Sequence, residues 1–164
     1  MRVTRYILAR NRSSAFTLTE LIVVMLLLGI VATIAAPRFT ESVHRFRAES
    51  SAKRIMMDLN MARRRAMIMG KAVEVTFSPS THSYSIPQVS SLNSITQTFQ
   101  VSLSVSPYQS TLNSVSFPGG TGGDLQVIFN HYGSPDSGGS VIVHCGTINK
   151  TVQLNANTGE ATIL

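Results

Sequence analysis

Side chains able to do chemistry are few in this sequence and stand apart. In the second half the candidates are His82, His131, His144, Cys145, Asp124 and Asp136, set among many serines. His144 and Cys145 are adjacent in an alternating run, so on a strand they point to opposite faces and cannot form a nucleophile–base dyad. Cys145 shares its parity with Val141 and Val143, which reads as a buried structural thiol. Glu74, Asp124, Asp136 and Glu160 are the acids after residue 71; they show neither paired-carboxylate spacing nor a calcium loop. The Gly119, Gly120, Gly122 and Gly123 run lacks the following lysine and helix of a phosphate loop. One cysteine excludes an internal disulfide framework and any multi-cysteine metal centre. The residues imply no catalytic constellation, no metal and no cofactor, so the chain does not read as an enzyme.

Two charged features are left. Arg63, Arg64 and Arg65 suggest nucleic acid, but on a helix they fan over roughly 200° and cannot make one flat contact row. They read instead as a solvated face with packed stems. Glu20 is the other, the one charge in residues 16–37. A carboxylate near the start of an apolar helix costs on the order of 2–3 kcal/mol on insertion scales, less if it snorkels. It is either a charge at a membrane boundary or the partner of a cation within the membrane. Removal of residues 1–15 would create such a cation, the ammonium of Phe16, four residues away or on a neighbouring subunit.

The elements that hold these residues follow from charge and periodicity. The 164 residues support at most one soluble domain, and the formal charge is +6 although charged residues make up only 13%. High basicity on so few charges suggests a nucleic-acid or membrane partner; the absence of Trp and 7% aromatics argue against a base-stacking platform. The charge is zoned. Residues 1–15 hold Arg2, Arg5, Arg10 and Arg12 without an acid, residues 38–71 carry +6, and residues 72–164 carry −3. A helix over 16–37 would span roughly 33 Å, enough to cross a bilayer. The arginines before it place the N-terminus in the cytoplasm and the remainder outside. No small-x-small cleavage site follows the apolar run.

Ala15-Phe16-Thr17-Leu18-Thr19-Glu20-Leu21 resembles the cleavage and methylation site of type IV pilins and type II secretion pseudopilins. In that family a basic leader is removed by prepilin peptidase just before Phe, the new amine is methylated, and the fifth mature residue is Glu. The resemblance implies cleavage between Ala15 and Phe16, N-methylation of Phe16, and an assembly role for Glu20. Gly29 and Pro37 match the family's helix-softening Gly and Pro. The residue before the cut is usually Gly; here it is Ala15.

Beyond Pro37, which is expected to kink or locally melt the helix, apolar residues step by three and four. Phe39, Val43 and Phe46, then Ala52, Ile55, Leu59, Ala62, Ala66 and Met69 read as one amphipathic stripe, ended by Gly70. A helix from about 17 to 69 would be roughly 80 Å long. Its first half faces lipid or neighbouring helices and its second half packs on a head. Met56, Met57, Met61, Met67 and Met69 read as adaptable packing. The run from Asp58 to Val75 resembles the helix-end pattern of GspH/FimT-type minor pseudopilins, leading into a first strand.

After Lys71 alternation takes over. Strands are expected at 72–77, 83–86, 95–105, 114–117, 125–129, 140–144, 151–154 and 161–164, with loose loops at 87–94 and 106–113. The fold class is therefore α+β: a long N-terminal helix, transmembrane then amphipathic, packed on an all-β antiparallel head of two sheets. Between Glu74 and Asp124 lie 49 residues without a charge. Phe129-Asn130-His131-Tyr132-Gly133 and Thr158-Gly159-Glu160 resemble the family's turns. Relatives implicated in DNA uptake carry Gly-Arg-x-Arg near the C-terminus, whereas Gly159 here precedes Glu160, Ala161 and Thr162.

The resulting organisation is a basic leader over 1–15, a membrane helix over 16–37, an amphipathic helix over 38–70 and a periplasmic β head over 71–164. The expected function is that of a structural minor pseudopilin of a type II secretion pseudopilus or type IV pilus. Its partners are prepilin peptidase, other pilins or pseudopilins in a filament, and inner-membrane assembly machinery. The expected location is the bacterial inner membrane, single-pass, with the head in the periplasm. The alternative is a minor pilin that binds DNA for uptake; the negative head and the missing terminal arginines count against nucleic acid.

Overall fold

In the computed structural model, which describes residues 16–91 and 94–164, one α-helix is followed by eight strands, with a single 3-10 turn at Pro79–Thr81 between the first two. Helix α1 is Leu18–Met69, and the strands are β1 Val73–Ser78, β2 Ser83–Ser91, β3 Ser94–Ser102, β4 Thr111–Ser116, β5 Gln126–Phe129, β6 Gly139–Cys145, β7 Ile148–Leu154 and β8 Ala161–Ile163. The chain divides into two compact units, Met1–Phe39 and Thr40–Leu164. In the first, every described side chain is exposed, and the helix is long and apolar enough to cross a membrane.

The second unit holds the whole described hydrophobic core. Its strands form two antiparallel sheets of four, ordered β3-β2-β1-β5 and β4-β6-β7-β8. The fold is thus α+β, with helix and two sheets as expected. Alternation explains which way each strand faces: Val73, Val75 and Phe77 are buried from β1, and Val141, Val143 and Cys145 from β6. Between the sheets Phe77 stacks on Phe117 with ring centroids 5.7 Å apart. From α1, Ile55, Leu59, Ala62 and Ala66 join this core. Gly70 then ends the helix with φ +62°, a left-handed turn that glycine adopts without steric cost.

The expected loops at 87–94 and 106–113 are partly strand. β2 runs to Ser91, β3 begins at Ser94 and β4 at Thr111. Ladder bonds come from the main chain, so serine-rich sequence does not prevent pairing. The irregularity survives as register shifts, between Ile86 and Ser90 in β2 and between Leu112 and Ser114 in β4.

Candidate functional site

At the start of α1, Thr17 Oγ1 accepts the Glu20 amide at 3.3 Å, and the Leu21 amide donates to the Thr17 carbonyl at 3.2 Å. Thr17 is therefore the N-cap and Glu20 the N3 residue of a Thr-x-x-Glu capping sequence, a signal the sequence reading passed over. The Glu20 carboxylate stands in the first turn, where the helix dipole favours negative charge. Phe16 precedes the cap and is 76% exposed; Ala15 lies outside the described residues. Further along, Gly29 has open space where a Cβ would be, and Thr33 Oγ1 donates to its carbonyl at 2.9 Å.

Within Thr40–Leu164, α1 has two contrasting faces. Against the sheets it buries Ala48, Ser51, Ala52, Ile55, Asp58, Leu59, Ala62 and Ala66. Most are small, which lets the helix lie close to the sheets. Phe46, Met57 and Ile68 are 72%, 57% and 82% exposed. At about 100° per residue these three fall within about 40° of one another, on the side opposite Ile55. The expected single stripe therefore needs correction. Phe46 points away from the head, Phe39 and Met69 are also exposed, and Val43 is only half-buried. The step of six residues from Phe46 to Ala52 turns the helix by about 240°, so the two apolar runs lie on different faces. Met56 and Met61 pack against the core as expected, whereas Met57, Met67 and Met69 do not.

The helix is joined to the head by polar contacts at buried positions. Asp58 Oδ2 accepts from Tyr84 Oη at 2.5 Å and from Arg54 Nε at 2.8 Å, and the Arg54 guanidinium lies 5.7 Å from the Phe99 ring centroid. Burial, then the charge and hydrogen bond of Asp58, raise the Tyr84 phenol well above its ordinary pKa. Burial opposes the Arg54 charge, but the hydrogen bond and charge of Asp58 outweigh it and hold the guanidinium above its ordinary value. Nearby, Ser51 Oγ donates to Ser110 Oγ at 2.9 Å. Arg63 is half-buried and packs under two left-handed glycines, Gly133 and Gly159, with φ +82° and +66°. Its neighbours Arg64 and Arg65 are exposed, so the three do not act as one patch.

Other side chains engage the sheet margins. The Asn60 side-chain amide donates to the Ala161 carbonyl and accepts the Ala161 amide, both at 3.1 Å, along the outer edge of β8. Asp136 does the same for β5: its Oδ1 accepts the Ile128 amide at 2.9 Å and its own amide donates to Ile128 O at 2.9 Å. On β4, His82 Nδ1 accepts the Leu112 amide at 3.3 Å. Nothing in the sequence spacing announces these three roles: Asn60 and His82 reach 101 and 30 residues along the chain, and Asp136 reaches back over the turn that follows β5.

The remaining candidates stay apart. Cys145 is buried, its thiol donating to Gln109 O at 3.4 Å. His144 Nδ1 pairs with Asn149 Oδ1 at 2.7 Å, and the exposed His131 ring lies against Tyr132 with centroids 3.8 Å apart. Among the described residues no three His, Cys, Asp or Glu side chains cluster as a metal site. An open cleft of about 580 Å³ lies over a row of Ser116, Ser140, Gln153 and Thr162, paired across four strands. Among the described residues that line it, Glu160 is the one with an ionisable side chain.

Residues 10–36 match the prokaryotic N-terminal methylation motif, and residues 51–159 match the family model of type II transport protein GspH. Among solved structures, the minor pseudopilin EpsH of the Vibrio cholerae type 2 secretion system aligns with a TM-score of 0.52 at 14% identity, covering 72% of this chain and 96% of that one. The type IV minor pilin FimU of Pseudomonas aeruginosa aligns with a TM-score of 0.50 at 13% identity, covering 71% and 91%. At these identities the likeness is one of fold. No curated protein matches the sequence at a significant level.

Proposed function

Because the chain belongs to the type II transport protein GspH family and carries the N-terminal methylation motif, we propose that it is a minor pseudopilin subunit built into a periplasmic filament of a secretion or pilus machine. Residues 1–15 form a leader that prepilin peptidase cuts between Ala15 and Phe16, and the Phe16 amine is methylated. Residues 16–37 anchor the subunit in the inner membrane with the N-terminus cytoplasmic, 38–70 form the amphipathic half of the helix, and 71–164 form the head in the periplasm. Gly29 and Pro37 let the helix bend as it leaves the bilayer. Glu20 pairs with the Phe16 ammonium of a neighbour during extraction, which gives a reason for an acid at that depth.

The observation that carries this reading is the two-sidedness of α1. One face is committed to the head, while Phe46, Met57 and Ile68 stay exposed on the other. Their spacing of eleven residues is close to three helical turns and sets them in one nearly straight line on the exposed face, with the charged Lys53 and Arg64 between them. Large apolar side chains held out in line, with charges between them, suit packing against a neighbouring helix. DNA binding by the head has less support, since residues 72–164 carry −3 and Arg63 is packed against glycine turns.

The test combines two variants in cells that assemble the filament. Glu20→Leu and Phe46→Asp should each leave membrane insertion and the mature N-terminus at Phe16 unchanged, as read by mass spectrometry, while removing the subunit from sheared filaments. An uncut Met1 terminus, or normal incorporation of both variants, overturns the proposal.

A further inference from the structure

The head has four sheet edges, and the chain's own residues bond to three of them: Asn60 to both main-chain groups of Ala161 on β8, Asp136 to both of Ile128 on β5, and His82 to the Leu112 amide on β4. The fourth is β3. The Leu103 amide donates to His82 O at 2.8 Å, and the register pairs Tyr84 with Val101 and Ile86 with Phe99. Antiparallel pairing alternates, so Val101 and Phe99 turn their main-chain groups toward β2 while Gln100 and Ser102 turn theirs outward. Among the described residues, nothing bonds to the outward N–H and C=O of Gln100 or Ser102. Thr98 and Gln100 are exposed.

Natural proteins blunt such an edge with lysine or proline, and β3, Ser-Ile-Thr-Gln-Thr-Phe-Gln-Val-Ser, has neither. We propose that the β3 edge around Gln100 receives an extended, uncharged strand from a different subunit of the filament, an inference that rests on the filament role above. Main-chain donors and acceptors repeating every second residue are matched by another extended chain, not by a helix or a small molecule. The strand is uncharged because residues 75–123 hold no charge to meet one, and Arg54, which lies over the Phe99 ring, is already held by Asp58. It comes from a different protein for a reason of symmetry. Two copies joining β3 to β3 antiparallel form a closed two-fold pair, whereas subunits stacked in a filament meet head-to-tail. A head-to-tail copy would have to offer one of its other edges, which already carry the bonds of Asn60, Asp136 and His82.

The experiment uses the full chain in filament-assembling cells, with a benzophenone photocrosslinking residue at position 100 and, as a control, at Gln153 on the outer face of β7. The expected result is an adduct from position 100 alone, mapped by mass spectrometry to an uncharged segment of another filament subunit. Gln100→Pro removes only the outward N–H and leaves the bonds of Phe99 and Val101 intact. It should lower incorporation by about tenfold without changing processing; Gln100→Glu, which keeps every main-chain group, should do the same by adding a charge. Equal adducts from both positions, a β3-to-β3 self-adduct, or normal incorporation of both variants overturns the inference. The two readings fail differently. Wild-type chain absent from filaments refutes the filament role, whereas wild-type chain present together with Gln100→Pro refutes only the docking strand.

Discussion

The Tyr84 phenol donates a 2.5 Å hydrogen bond to Asp58 Oδ2, tying β2 to the C-terminal part of α1 where both residues are buried. A carboxylate so placed needs partners, and it has two: the phenol and the Arg54 guanidinium. Removing one partner is therefore costlier than removing an ordinary surface contact, because the acceptor stays buried.

Tyr84→Phe should destabilise the fold by about 1–3 kcal/mol, read as a lower urea midpoint at unchanged slope. Arg54 is one-third exposed on its side chain, so Arg54→Met should cost less than Tyr84→Phe. The reverse order would mean that the ion pair, not the phenol, anchors the helix.

The same pair sets an alkaline limit. The folded state holds the Tyr84 proton above the ordinary value of 10.0. As pH rises past that value, the unfolded chain loses this proton and the folded chain keeps it, so stability falls. Below it the contribution is fully present. Urea unfolding between pH 8 and 11 (roughly the range bracketing an unperturbed phenol) should show a decline that is smaller in Tyr84→Phe.

Asn60→Ala removes both contacts to Ala161 and bares the outer edge of β8. The expected cost is about 1–3 kcal/mol, accompanied by increased self-association in sedimentation. Asn60→Asp keeps the acceptor and loses the donor, and should fall between wild type and Asn60→Ala.

Three left-handed glycines should respond to alanine in a definite order. At Gly70 a Cβ meets nothing within 4 Å, so the cost is backbone strain alone, about 1 kcal/mol. At Gly133 it meets the flexible Met67 side chain and Arg63 Cγ at 3.2 Å. At Gly159 it would lie 2.5 Å from the Gly133 carbonyl oxygen, which is main chain and cannot swing aside. Thermal midpoints should drop least for Gly70→Ala and most for Gly159→Ala.

Much of the fold was legible because strands announce themselves by period. Val141, Val143 and Cys145 alternate with half-buried residues, and glycine turns separate the strands. The misreading at Phe39, Val43 and Phe46 has a physical cause. Where α1 lies close to the sheets, its buried face is built from Ala48, Ser51 and Ala52, which hydrophobicity does not mark, while the conspicuous aromatics face away. The methylation motif was legible because it is local in sequence. The partnerships of Asn60 with Ala161, Asp136 with Ile128 and His82 with Leu112 were not, since each depends on register set by the folded sheets.

The engaged edges also bear on life before assembly. In the membrane-anchored state proposed above, heads would diffuse in two dimensions, where collisions between identical heads are far more frequent than in dilute solution. Bare strand edges would turn those encounters into runaway sheet growth. With β4, β5 and β8 each met by the chain's own residues, β3 is the one edge left open on each head, so pairing between identical heads would stop at two and could not propagate as a growing sheet.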